Sequence, residues 1–390
     1  MQNIIPISSA HHNAAQKAVV LETRVVTGTG GGPEKTIFNT PRFMDPYGYK
    51  TLCAYMHPPK DPGFDILCKR AAQQNCELIS VPDRGFFDFS VFRRLLELCR
   101  ENNVTIWHGH DYKSNLLGIW VRRYHPMKLV TTVHGWVHRT WKTPLYYFLD
   151  RWSLRHYDHV ICVSPDLYDK CRKCGVKEDR CTLVENGIDT KQFTRTMPTD
   201  TAKKNLAFPS DRLVIGAVGR LSAEKNFSGL IRITAALLEK GLPLELYIVG
   251  EGPHHAHLEE IIRNSKYPEH IHLTGFRDDL HAIYQAMDLF VLSSSREGLP
   301  NVVLEAMSYE LPVLSTRVAG VPRLITNGYN GVLVNIGDNE ELGRMLEMLV
   351  EEPDYRRMIG ENGRATIVKN YTLGERMRKV RGVYEKVLGE

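Results

Sequence analysis

The stretch Val291-Leu-Ser-Ser-Ser-Arg-Glu-Gly-Leu-Pro-Asn-Val-Val-Leu-Glu-Ala-Met307 passes from strand to turn to helix. Leu289–Leu292 is apolar and strand-like, and Ser293–Gly298 is a polar turn. Pro300 fits the first helical position, where a missing N–H costs nothing. Val302, Val303, Ala306 and Met307 then give the helix an apolar face. Backbone amides at a helix start suit an anion. Two carboxylates frame that end, Glu297 in the turn and Glu305 a turn and a half inside the helix. An acid beside an anion site repels the anion unless it has another task. Carboxylates accept hydrogen bonds from sugar hydroxyls, and two at this spacing suit two different sugar rings. The plainer alternative is that Glu297 complements the helix dipole and Glu305 is a solvated surface residue.

A chain of 390 residues exceeds one ordinary core, so two domains are expected. The boundaries read as 1–186 and 187–370, with a helix in 371–390 crossing back to the first domain. No apolar run reaches the about 18 residues of a membrane span. Met1-Gln-Asn-Ile-Ile-Pro6 lacks the basic and apolar regions of a secretion signal. The net charge of +5 is mild. It permits an anionic substrate or membrane surface and does not argue for nucleic acid. Eight cysteines are scattered. Cys171-x-x-Cys174 falls in a helix with no second pair at zinc spacing, so ordinary thiols and a cytoplasmic setting are expected, with no metal site.

Short apolar runs alternate with helical patterns through both halves, which predicts parallel α/β sheets. In the first half, Val25-Val26 leads into Thr27-Gly-Thr-Gly-Gly-Gly-Pro33, a glycine turn with Gly31 and Gly32 that lets backbone approach a ligand. It has neither dinucleotide nor P-loop spacing. Strand ends carry function in such sheets. Here they read His108-Gly-His110-Asp111 and His134-Gly-Trp136, with His108 taken as structural and His134 as functional. All five tryptophans lie between Trp107 and Trp152, interleaved with tyrosine and arginine. Buried aromatics with solvated bases are the favoured reading, and an interfacial or acceptor-binding surface is the alternative. After a polar, linker-like Thr190–Pro209, the alternation restarts. The next strand ends read Gly219-Arg220…Lys225-Asn226, Val249-Gly250-Glu-Gly-Pro253 and Thr274-Gly-Phe276. Two cations around one turn can clamp a diphosphate, the arginine by a fork and the lysine as a point charge.

With those pieces in order, the chain resembles the retaining family-4 glycosyltransferases of the GT-B fold. The resemblance is strongest over Asn186–Val334, and reaches the first half through Gly30-Gly31-Gly32, Thr132-Val-His134-Gly135 and Val163-Ser164. It implies two doubly wound, Rossmann-like parallel-sheet domains facing a cleft. It implies transfer of a sugar from a nucleoside diphosphate, UDP before GDP, to a glycan, lipid-linked or small-molecule acceptor with the anomeric configuration kept. Arg220 and Lys225, beside Gly219 and Gly250, would meet the departing diphosphate. Glu305 would hold the ribose, and Phe276 would border the base. Glu297 would hold the transferred sugar with the amides of Gly298, Leu299, Pro300 and Asn301. His134 would lie near that sugar, with His110, Asp111 and Trp136 on the acceptor side. No Asp-x-Asp is present, so the resemblance implies no metal and no other cofactor. A sugar-nucleotide epimerase, a glycan phosphorylase, or a non-catalytic sugar-nucleotide binder are the alternatives.

Overall fold

The computed structural model describes residues 17–85, 88–135, 143–297 and 300–390. They form two compact units. The first comprises the described parts of Met1–Val163, Leu167–Val184 and Met377–Glu390; the second, Ser164–Asp166 and Glu185–Arg376.

The first unit has strands β1 (Ala18–Val25), β2 (Tyr49–His57), β3 (Leu78–Pro82), β4 (Ile106–Gly109), β5 (Lys128–Val133), β6 (His159–Cys162) and β7 (Cys181–Leu183). They pair in parallel in the order β3-β2-β1-β4-β5-β6-β7. The order reverses between β1 and β4, the kind of switch point where open α/β sheets bind ligands. Val19, Leu21, Trp107, Leu129 and Val160 build one face of its core.

The second unit has β8 (Leu213–Val218), β9 (Leu244–Val249), β10 (Ile271–Leu273), β11 (Leu289–Leu292), β12 (Val313–Thr316) and β13 (Val332–Val334). Their order is β10-β9-β8-β11-β12-β13, again parallel and again reversing beside the first strand. Buried valine, isoleucine and leucine cover both faces, as sheets flanked by helices require.

The helix Leu373–Leu388 starts in the second unit, and from Met377 onward it belongs to the first. Arg376 donates to the Glu185 carbonyl at 2.9 Å. Tyr384 is fully buried under β1 and β4.

Three sequence readings change. β1 starts at Ala18, well before Val25. The linker-like Thr190–Pro209 is folded onto the second unit. It contains a helix, Thr199–Asn205. Arg195 donates to the Gln285 carbonyl at 2.9 Å, and Lys203 pairs with Asp288 at 2.6 Å. Its polar residues are anchors rather than solvated spacers. Finally, Pro300 caps the helix Asn301–Ser308 from outside, in an extended conformation.

Candidate active site

Four strand ends of the second unit build the site's floor. After β8, the turn through Arg220 to Asn226 is fixed by β11's own turn: the Ser293 hydroxyl donates to the Lys225 carbonyl at 2.8 Å, and the Ser295 amide to the Glu224 carbonyl at 2.7 Å. After β9, Gly250 has φ +143, and a Cβ there would lie 2.0 Å from the Gly219 carbonyl oxygen. Glycine is therefore required on both counts. After β10, Phe276 leaves its ring 56% exposed, available as a flat apolar surface.

On this floor the predicted cation and carboxylate meet. Lys225 Nζ lies 2.5 Å from Glu297 Oε1, which also accepts the Ser294 hydroxyl at 2.8 Å. Arg220 is exposed in the same turn. The second carboxylate is no solvated surface residue. Glu305 is 1% exposed, and its Oε2 accepts the Tyr284 hydroxyl at 2.9 Å. Burial drives the Tyr284 phenol well above its usual range, with the Glu305 carboxylate adding to the effect. Tyr284 therefore stays a donor. Asn301 begins the helix carrying Glu305, and no side chain caps that end at Pro300. Gly298 and Leu299 lie outside the described residues.

In the first unit the glycine turn is braced from below. Glu34 is fully buried, pairs with Arg24 at 2.6 Å, and accepts the Gly31 amide at 2.5 Å. The Gly31 N–H is thus committed to a carboxylate rather than turned to an anion. Gly31 and Gly32 themselves are exposed.

Side-chain alternation then assembles a cluster no single motif announces. Glu22 sits opposite His108 in the β1–β4 register. His110 follows His108 by two, and His134 follows Thr132 by two, so all five share one face. His110 Nε2 contacts Glu22 Oε2, and His110 Nδ1 lies 3.0 Å from His134 Nε2. His108 Nδ1 lies 2.7 Å from the Tyr384 hydroxyl, and His108 Nε2 lies 2.8 Å from the Thr132 hydroxyl. Burial opposes ionisation of Glu22, but His108 and His110 hold its carboxyl well below the usual range. Burial lowers His110 to about 4 against the pull of Glu22.

His134 is partly exposed, while His110 is 7% exposed. The expected acceptor-side role of His110 therefore becomes one of support. Asp111 changes likewise. It caps the helix Tyr112–Val121, accepting the Lys113 and Ser114 amides at 3.0 Å and the Val25 amide at 2.6 Å. Trp136 lies outside the described residues. Glu22 escaped the sequence reading. Its one signal is a lone carboxylate inside the apolar strand Ala18–Val25. Ligating atoms of Glu22, His108 and His110 lie within 4.8 Å of one another. The fold thus assembles a donor set that sequence spacing did not reveal, although hydrogen bonds already engage its atoms.

Two family models cover most of the chain: Glycosyltransferase Family 4 over residues 30–192 and Glycosyl transferases group 1 over 198–366. The capsular polysaccharide biosynthesis glycosyltransferase CapM of Staphylococcus aureus is 26% identical over 321 residues, 78% of this chain and 83% of CapM. An Escherichia coli enzyme, UDP-Gal:alpha-D-GlcNAc-diphosphoundecaprenol alpha-1,3-galactosyltransferase, is 26% identical over 307 residues, 74% of this chain and 77% of its own. Among solved structures, Anabaena HepE in complex with UDP superposes with TM-score 0.80 at 18% identity, covering 94% of this chain and 99% of HepE. At that identity the likeness speaks for the fold alone.

Proposed function

Since the chain belongs to the family-4 glycosyltransferases and has the GT-B fold, we propose that it transfers a sugar from a UDP-sugar to a glycan or lipid-linked acceptor, with retention and without a metal. The observation that carries this reading is the Lys225–Glu297 pair on a floor of strand-end turns, with buried Glu305 one helix away. Arg220 and Lys225 supply the positive charge that must meet the diphosphate as the glycosidic bond breaks. Glu305, braced by Tyr284, takes the ribose hydroxyls. Glu297 takes hydroxyls of the transferred sugar once the diphosphate draws Lys225 away. Phe276 offers its exposed ring to the base. His134, just past the end of β5, is the first unit's own candidate for a part in the reaction. Charge neutralisation by two cations leaves the departing phosphate to receive the acceptor's proton on the same face, which is how retention arises without a covalent intermediate.

The UDP-Gal donor and the diphosphoundecaprenol acceptor named for the Escherichia coli relative support a UDP-sugar and a lipid-linked acceptor. No helix among the described residues is long and apolar enough to cross a membrane. Contact with a bilayer would therefore be peripheral. Trp120, Tyr124, Phe148 and Trp152 of the first unit are 49%, 61%, 65% and 43% exposed, so burial accounts for Trp107 and Tyr157 but not for these four. A thermal-shift panel of nucleotide sugars tests the donor. A ligand at a hundredfold its Kd stabilises by about 2.7 kcal/mol. UDP-sugars should raise the melting temperature, and a response to GDP- or ADP-sugars alone would reject the proposed base.

A further inference from the structure

We propose that Glu22 and His110 are positioning residues for His134, forming a buried carboxylate–imidazole–imidazole chain that fixes His134 as the Nε2–H tautomer and presents its Nδ1 as an acceptor. The chain follows from which atoms can donate. An ionised carboxylate only accepts, so the Glu22 contact requires a proton on His110 Nε2. Burial keeps His110 singly protonated, with its value lowered to about 4. His110 Nδ1 is then an acceptor. Its neighbour at 3.0 Å is His134 Nε2, which must carry the proton. A carboxylate that sets an imidazole's tautomer and orientation is a known catalytic device; here the effect passes through one further ring.

The neighbouring imidazole shows the network is built rather than incidental. The Tyr384 hydroxyl donates to Glu22 Oε1 at 3.4 Å. His108 Nδ1–H then donates to the Tyr384 oxygen at 2.7 Å, and His108 Nε2 accepts the Thr132 hydroxyl at 2.8 Å. Two stacked histidines, with ring centroids 4.5 Å apart, are thus held in opposite tautomers by one carboxylate. The polar atoms of Glu22, His108 and His110 named here each meet a complementary partner, which is what a buried network needs if it is to rigidify a site. The inference rests on the glycosyl-transfer reading in one respect only: that reading supplies the hydroxyl His134 Nδ1 would accept.

The test needs no sugar donor, so its failure would leave the transfer reading standing. The full chain, labelled with 15N-histidine, gives long-range proton–nitrogen spectra that separate the two tautomers of each ring. His134 is assigned by the signals lost in His134→Gln. The wild-type ring should be held in the Nε2–H form. His110→Phe keeps the ring volume but removes the acceptor, so His134 should shift to a mixture of tautomers. Glu22→Gln should produce a smaller shift in the same direction. A wild-type His134 in the Nδ1–H form overturns the proposal. So does a His134 spectrum unchanged in whichever of the two variants folds, as judged by a cooperative melt.

Discussion

Lys225 and Glu297 form an ion pair at 2.5 Å, with both side chains about one-seventh exposed (14% and 15%). The two charges assigned to different parts of the donor thus satisfy each other in the ligand-free protein. A diphosphate must compete with Glu297 for Lys225. Glu297→Gln should therefore bind UDP about 3–10-fold more tightly than wild type, since a partly buried pair of this kind is worth about 1 kcal/mol. Lys225→Ala should bind it more weakly. Calorimetry in which both substitutions weaken UDP would show that Glu297 supports the diphosphate rather than competing with it.

Glu305 and Tyr284 divide structure from binding. Glu305→Ala would strand the buried Tyr284 hydroxyl and leave a cavity, at a cost of about 1–3 kcal/mol in stability. Glu305→Gln keeps the volume and an oxygen for Tyr284. It should melt within a few degrees of wild type and still lose about tenfold or more in UDP affinity, because a charged acceptor for the ribose is gone. Equal UDP affinity in Glu305→Gln would remove Glu305 from the ribose.

Arg220 is exposed, and the proposed transfer assigns it a part through its charge. Arg220→Ala should cost a hundredfold or more in turnover, on the order of 2.7–4 kcal/mol for a contact formed as charge develops. If the two cations take a metal's place as proposed, excess EDTA should leave turnover unchanged. Abolition by EDTA, restored by Mg²⁺ or Mn²⁺, would refute the metal-free reading.

Acid should destabilise the first unit through its buried histidines. Burial lowers both His110 and His159 to about 4, Lys386 adding to the effect at His159. The unfolded chain binds protons at these histidines near pH 6.5 and the folded one does not, so stability falls as pH drops from about 6.5 towards 4. Each can contribute up to about 1.4 kcal/mol per pH unit in that window. His159 Nε2 is 2.8 Å from the Thr182 hydroxyl, a partner an amide can also serve. His159→Gln should therefore flatten the fall in melting temperature. A slope identical to wild type would mean that His159 does not carry it.

Peripheral binding should run through the exposed aromatics and free bases. Arg122 is unsuited, because it pairs with Asp158 at 3.0 Å and holds the His156 carbonyl at 2.9 Å. Exposed Arg123 and Lys128 suit the test better. Flotation with anionic vesicles at low salt should be lost at high salt, in Arg123→Ser/Lys128→Ser and in Phe148→Ser/Trp152→Ser. Absence of flotation under every condition would point to an acceptor free in solution.

The second unit's strands were legible because they are uninterrupted apolar runs: Leu213–Val218, Leu244–Val249 and Leu289–Leu292 have the bounds their hydropathy suggests. β1 was only half legible, because Glu22 and Arg24 break its apolar pattern. Their charges are met by His110 and Glu34, which lie 88 and 10 positions along the chain. The segment around Lys203 misled for the same reason. Its ammonium looks solvated until Asp288 arrives from another element. The donor-facing residues could be read from local motifs, since strand-end turns are local. The support beneath His134 could not, because it is made by register between three strands and a helix.

The placement of Tyr384 also orders events during synthesis. Its hydroxyl reaches Glu22 across 362 positions of sequence. The second unit lies almost wholly within Glu185–Arg376. On the ribosome, the half made first is therefore sealed last. His110 can meet one oxygen of the Glu22 carboxylate early, but the hydroxyl that reaches the other oxygen arrives only with the final helix. The later-made half can meanwhile close from nearby contacts. Such a nascent chain carries an unfinished apolar sheet through most of translation, the condition under which chaperone capture and misassembly are most frequent. A stop codon before Tyr384 would spare every donor-facing motif and still release a protein whose first half had never closed.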